Sequence, residues 1–221
     1  MPTKTIAVVN STGRQAASLI RVASAVGYKV HAQLHSSKDL ATQEATNLEE
    51  ISELENVTLF EGRLEDKTLL RSLFSGAQLA FINTTSWGDE VAIGRAIADA
   101  AKQAGTIQHL IYSSMPDHSI YGRGWPALPN WSSKFTVENY IRQLGVPATF
   151  VYCGIYNNNF TSLPYPLFQM ELKPPERGGG FQWQAPFDPD LPLPWLDAEH
   201  DVGPAVIQIF KDGVGKWGGH R

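Results

Sequence analysis

The run Val8-Val9-Asn10-Ser11-Thr12-Gly13-Arg14-Gln15-Ala16 follows directly on the first strand-like stretch of the chain, Thr5 to Val9, and opens a helical pattern. Ala16, Leu19, Ile20, Ala23 and Val26 share one face of a helix over 13–26, a face that packs on a sheet. A strand, a tight turn and a helix in that order aim backbone N–H groups and the positive end of the helix dipole at one point, where an anion is stabilised. The pyrophosphate turn of a dinucleotide-binding βαβ unit wants small residues at three positions: for the turn, for backbone approach and for helix–strand packing. Here those positions hold Asn10, Gly13 and Ala16. Asn tolerates a left-handed backbone and Ala is small, so the geometry is expected to survive. Asn10, Ser11, Thr12, Gly13, Arg14 and Gln15 are then the residues that line a dinucleotide. The competing reading of this segment is a tightly packed turn that binds nothing.

Beyond the turn, short apolar strands at Lys29–Leu34, Val57–Phe60, Leu79–Asn83, Gln108–Ser113 and Ala148–Cys153 alternate with helical patterns at Leu40–Leu54, Lys67–Phe74, Glu90–Gln103 and Ser133–Leu144. That alternation predicts an α/β fold, a Rossmann-type doubly wound parallel sheet. Gly76, Gly105 and Gly145 each follow a helical stretch, where a C-terminal cap needs positive φ. After about Gly154 the character changes to Asn157-Asn158-Asn159, prolines from Pro164 to Pro194 and Gly178-Gly179-Gly180. Proline removes donors that sheet and helix interiors need, so 1–153 reads as the dinucleotide-binding domain and 154–221 as a smaller, loop-rich one. From Gly178 to Phe210 there is no Lys or Arg, while Asp188, Asp190, Asp197, Glu199 and Asp201 all occur.

With 221 residues and 43% hydrophobic content the chain can bury one sizeable core. A net charge of −4 without a basic block argues against direct nucleic-acid binding. The one cysteine, Cys153, excludes an internal disulfide and reads as a buried hydrophobe in a reducing compartment. No stretch approaches the roughly 18 apolar residues of a membrane span, so a soluble intracellular protein is expected. His109, His118, Asp197 and His200 lack the clustering that a metal site needs.

The runs TIAVVNSTGRQAASLIRVA, LAFINTTSWGDE, IYSSMPDHSIYG, KFTVENYIRQLGVP, GIYNNNFTSLPYPLFQME and PLPWLDAEHDVGPA occur together and in order. In them the chain resembles the NmrA-like family of atypical short-chain dehydrogenases/reductases, among them fungal regulators of nitrogen metabolite repression. The resemblance implies a fold that binds NAD, and NADP more weakly, and that holds a GATA-type zinc-finger transcription activator in nucleus and cytoplasm without turnover. Such family members continue beyond the position of Arg221, which implies that the smaller domain is truncated.

Active dehydrogenases of this superfamily carry Tyr-x-x-x-Lys, whose phenol transfers the proton. Lys134 matches the lysine, but Asn130 stands where the tyrosine belongs, and an amide is no proton donor. Binding without hydride transfer is expected. The alternative is an NADPH-dependent reductase of the isoflavone-reductase-like type with Lys134 as acid–base group. Cofactor choice is read at the end of the second strand, where Asp or Glu favours NAD and Arg or Lys favours NADP. The residues there are His35, Ser36, Ser37, Lys38 and Asp39, which meet neither rule; His35 is a candidate for the adenine ribose and Lys38 for a 2′-phosphate. Asn83, Thr84 and Thr85 close the fourth strand on the side where such sheets bind ligands, and Lys134 is placed at the nicotinamide ribose. The resemblance places Tyr156, Asn157, Asn158 and Asn159 by the nicotinamide. Asp188, Asp190 and Glu199 are the candidate contacts for a basic zinc finger, since complementary charge steers association.

Overall fold

A computed structural model describes residues 3–36, 47–86, 88–162, 171–182, 188 and 190–221. The expected ligands Ser37, Lys38 and Asp39 lie outside the described residues. In chain order the elements are β1 (Thr5–Val8), α1 (Arg14–Ala25), β2 (Lys29–Leu34), α2 (Asn47–Ser52), β3 (Val57–Glu61), α3 (Lys67–Phe74), β4 (Leu79–Ile82), α4 (Glu90–Ala104), β5 (His109–Ser114), α5 (Pro129–Leu144) and β6 (Ala148–Tyr152). Their strands form one six-stranded sheet of order β3-β2-β1-β4-β5-β6, parallel throughout. This is the doubly wound Rossmann-type order, whose reversal between β1 and β4 opens a crevice at the strands' carboxyl ends.

The sheet and its helices make the core. Ala7, Ala80, Ile82, Leu110, Tyr112 and Phe150 from the strands and Val9 just after β1 pack with Leu73, Phe74, Ile97, Val137 and Ile141 from the helices, all buried. Helix α4 runs so close to α5 that a Cβ on Gly94 would meet Val137 Cγ2 at 2.5 Å. Gly105 and Gly145 cap α4 and α5 with φ of 67° and 65°, as a left-handed cap requires. Helix α5 begins at Pro129, four residues before its expected start, because proline fits the first turn, where its missing N–H has no partner to lose.

The chain divides into two units, 1–152 with 199–221, and 153–198. The expected smaller domain over 154–221 is therefore corrected at its C-terminal part. Residues 199–221 return to the first unit through α7 (Val202–Asp212) and α8 (Val214–Trp217), once the second unit has contributed β7 (Ile155–Tyr156), α6 (Asn159–Ser162), β8 (Glu171–Leu172), β9 (Phe181–Gln182) and β10 (Trp195–Leu196). The cause is an amphipathic face: Val202, Val206, Ile207 and Phe210 of α7 are buried. Gly203 lets α7 touch α1, its N–H donating to Ser18 Oγ at 3.0 Å. Within the second unit, β7 pairs with β10 in parallel and β8 with β9 antiparallel.

Candidate functional site

The turn after β1 is built by hydrogen bonds that only a few residue types could make. Asn10 has φ of 55°, the one non-glycine residue with positive φ among the described residues. Its N–H donates to Gln33 Oε1 at 3.0 Å and its Nδ2 to the Asn83 carbonyl at 2.6 Å, so one side chain ties the turn to the end of β4. Gln33 also donates through Nε2 to the Gly62 carbonyl at 2.9 Å, while its own carbonyl accepts from Ser11 N–H at 2.8 Å. Asn47 Nδ2 donates to the Thr12 carbonyl at 3.0 Å and is itself held by Arg21, whose Nη2 lies 2.6 Å from Asn47 Oδ1.

Gly13 is the N-cap of α1 with φ −69° and ψ 148°, a conformation open to any residue. Its smallness matters instead: a Cβ there would sit 3.3 Å from the Asn10 carbonyl oxygen. The first bond of the helix runs from Ala17 N–H to the Gly13 carbonyl at 2.8 Å, so the N–H groups of its first turn point out of the helix end. Glycine at the N-cap offers no side-chain cap, and no acidic residue occupies the first turn. Ser11 Oγ, in a fully buried residue, has no hydrogen-bond partner among the described residues. Open helix donors beside an orphaned buried hydroxyl fit a pyrophosphate.

Beside the turn lies a cavity of about 270 Å³ lined by Asn10, by Gln33 and His35 of the β2 end, by Arg63, Leu64 and Glu65 after β3, and by Thr85, Gly88 and Ile93 after β4. Arg63 Nη2 and Glu65 Oε1 form an ion pair at 3.1 Å, and the hydrogen bond from Arg63 holds the Glu65 carboxyl below the usual carboxylate range.

At the end of β4 a buried polar network surrounds Lys134. Its Nζ donates to Asn83 Oδ1 at 3.2 Å, to the Thr84 carbonyl at 2.5 Å and to Thr84 Oγ1 at 3.2 Å, and it faces Glu90 Oε1 at 3.1 Å. Thr84 Oγ1 donates to Glu90 Oε1 at 2.7 Å, so it accepts from the Tyr112 hydroxyl 2.9 Å away. Burial pushes the Tyr112 phenol above its ordinary range, which keeps it a neutral donor. Tyr112 is fully buried.

The first unit thus gathers Asn10 to Gln15, His35, Ser36, Asn83, Thr84, Thr85 and Lys134 along the carboxyl ends of its strands. Tyr156, Asn157, Asn158 and Asn159 belong to the second unit, where Asn157 N–H donates to the Leu196 carbonyl at 2.9 Å. The acidic run is divided. Asp188 and Asp190 are exposed in the second unit, while Glu199 lies in the first and pairs with Arg14, Oε1 to Nε at 3.4 Å. Gln33, Arg63, Glu65, Glu90 and Tyr112 escaped the sequence reading. Among the described residues no three His, Cys, Asp or Glu gather as a metal would need, and no helix is long and apolar enough to cross a membrane.

The sequence profile of the NmrA-like family matches residues 2–221. The chain belongs to that family. It is 70% identical over 220 residues to the nitrogen metabolite repression protein nmrA of Emericella nidulans, covering 99% of this chain and 60% of that protein. It is 54% identical over 248 residues to the nitrogen metabolite repression protein nmr of Neurospora crassa, of which it covers 49%. The crystal structure of NmrA, a negative transcriptional regulator, in complex with NAD superposes with a TM-score of 0.90 at 68% identity, over 100% of this chain and 66% of that one. The complex of NmrA with NADP gives the same TM-score and identity. A triphenylmethane reductase of Citrobacter, at 17% identity and a TM-score of 0.54, shares the fold alone. The chain spans about half to two thirds of the length of these relatives.

Proposed function

We propose that this chain is the dinucleotide-binding part of a negative regulator of nitrogen metabolism genes. It binds NAD⁺, and NADP⁺ more weakly, without hydride transfer. The observation that carries the reading is the N-terminus of α1, which glycine leaves without a side-chain cap, beside the buried and unpartnered Ser11 Oγ, in a chain 70% identical to a nitrogen metabolite repression protein. A bound dinucleotide would lay its pyrophosphate on the Arg14, Gln15 and Ala16 N–H groups, its adenosine toward His35 and its nicotinamide ribose toward Lys134. The non-catalytic reading is supported by Asn130 and by Lys134, whose ammonium is engaged by Asn83, Thr84 and Glu90. That network favours a positioning cation over the acid–base group of the alternative reductase.

Through Asp188 and Asp190 the protein holds a GATA-type zinc-finger activator, acting in nucleus and cytoplasm, and occupancy by oxidised dinucleotide sets the strength of that contact. Calorimetric titration with NAD⁺, NADH, NADP⁺ and NADPH tests the cofactor reading. Tighter binding of the oxidised forms, NAD⁺ above all, is expected of a sensor, and tightest binding of NADPH would return the reductase. Pull-down of a GATA-type zinc finger by the Asp188→Lys/Asp190→Lys variant tests the partner; retention equal to the unmodified chain would remove these carboxylates from the interface.

A further inference from the structure

Helix α7 is docked on α1 where the Gly203 N–H donates to Ser18 Oγ at 3.0 Å. That contact holds the residues just before α7 at the start of α1 and brings Glu199 to Arg14, the first residue of α1. On charge alone the sequence offers Glu199 as a contact for a basic partner; the structure gives its carboxylate a cation within the first unit. The pair is loose. Glu199 Oε1 lies 3.4 Å from Arg14 Nε, beyond the roughly 2.7–2.9 Å of a tight charge-assisted hydrogen bond, and the side chains are 33% and 32% exposed. Elsewhere on the same guanidinium, Arg14 Nη1 is buried and has no hydrogen-bond partner among the described residues. An open buried donor on a cation in the first turn of α1, together with the unpartnered Ser11 Oγ, points to an anionic acceptor.

We infer that Glu199 is a positioning residue of the dinucleotide site: it restrains Arg14, and through Arg14 it sets how tightly the pyrophosphate is held. This rests on the dinucleotide reading above and deepens it. A pyrophosphate at the first turn of α1 takes the Arg14 guanidinium, whose fork geometry suits phosphate oxygens. It must draw that cation from the Glu199 carboxylate, which competes for the same donors. Glu199 therefore lowers the affinity that Arg14 would otherwise give. The return of residues 199–221 to the first unit supplies the dinucleotide turn with this restraint from distant sequence. Because the pyrophosphate is common to NAD⁺ and NADP⁺, the pair acts on both alike.

The test is calorimetric titration of NAD⁺ and NADP⁺ into the unmodified chain, Arg14→Gln, Glu199→Gln and the double variant, with thermal midpoints recorded. Arg14→Gln should weaken both dinucleotides about threefold to tenfold, and Glu199→Gln should tighten both about twofold to fivefold. In the double variant the gain from Glu199→Gln should disappear, because no cation is left to restrain. A carboxylate that only anchors α7 would instead lower the thermal midpoint in Glu199→Gln with affinity unmoved or weaker. That result, or a gain that persists in full beside Arg14→Gln, overturns the inference while the dinucleotide reading stands. Failure of the unmodified chain to bind either dinucleotide overturns both.

Discussion

Replacing Gly203 by alanine tests whether residues 199–221 are an integral part of the sheet domain. Alanine at a helical glycine ordinarily gains up to about 1 kcal/mol. Here the new Cβ would run into the Ser18 carbonyl oxygen and carbon of α1, backbone atoms that cannot turn aside as a flexible side chain would. Overpacking of this kind costs about 3 kcal/mol at the upper end of its range, so the net effect is a loss of about 2 kcal/mol. For a chain of this size that lowers the thermal midpoint by about 4–8 °C. Gly215 of α8 is the control, because a Cβ there meets nothing within 4 Å, and Gly215→Ala should be neutral or slightly stabilising. Both variants would be followed by urea and thermal unfolding. A Gly203→Ala protein as stable as the unmodified chain would refute the tight α1–α7 contact and the domain boundary with it.

Two further predictions concern buried charge. Burial pushes the His109 imidazole down to about 4, so the fold holds it neutral. The unfolded chain then binds the extra proton between pH 6.5 and 4, and stability present above pH 6.5 is lost as the pH falls, by about 2 kcal/mol between pH 7 and pH 5. His109→Gln should remove that slope in urea titrations, and an unchanged slope would assign it to other groups. Removing the carboxylate that faces Lys134 with Glu90→Ala should cost about 3 kcal/mol, because a largely buried ammonium loses its counter-charge. In a double-mutant cycle Lys134→Met should recover part of the loss; additive effects would show that the two groups do not interact.

The sheet was legible because its strands are short apolar runs punctuated by glycine caps. The bounds of β2 and α3 coincide with the expected ones, and Asn10 takes the left-handed conformation that its place in the turn required. Helix α7 was not legible. Its apolar face is spaced as a helix demands, but the prolines from Pro164 to Pro194 led the whole stretch 154–221 to read as loop-rich; Pro204 itself is harmless to the helix because it lies in the first turn. Glu90 was missed for a related reason: an acid at a helix start is explained by the dipole alone, and nothing local announces that Thr84 and Lys134 converge on it. Gln33 looks like an ordinary polar strand residue, yet it is buried and holds the pyrophosphate turn in shape. Arg63 and Glu65 reach the cavity only because β3 pairs with β2 at the edge of the sheet.

Titration of NAD⁺ into the Gly13→Asp variant, with its thermal midpoint recorded alongside, addresses the dinucleotide site most directly. Gly13 is an exposed N-cap with ordinary φ, and aspartate is a favoured N-cap that also complements the helix dipole; its Cβ, 3.3 Å from the Asn10 carbonyl oxygen, asks that carbonyl to give by a few tenths of an ångström, so the thermal midpoint is recorded to show that the fold is kept. The same carboxylate would occupy the donors that a pyrophosphate needs and repel it. The unmodified chain should bind NAD⁺, and the folded variant should bind it at least about tenfold more weakly. Equal affinity in a folded Gly13→Asp protein would contradict it.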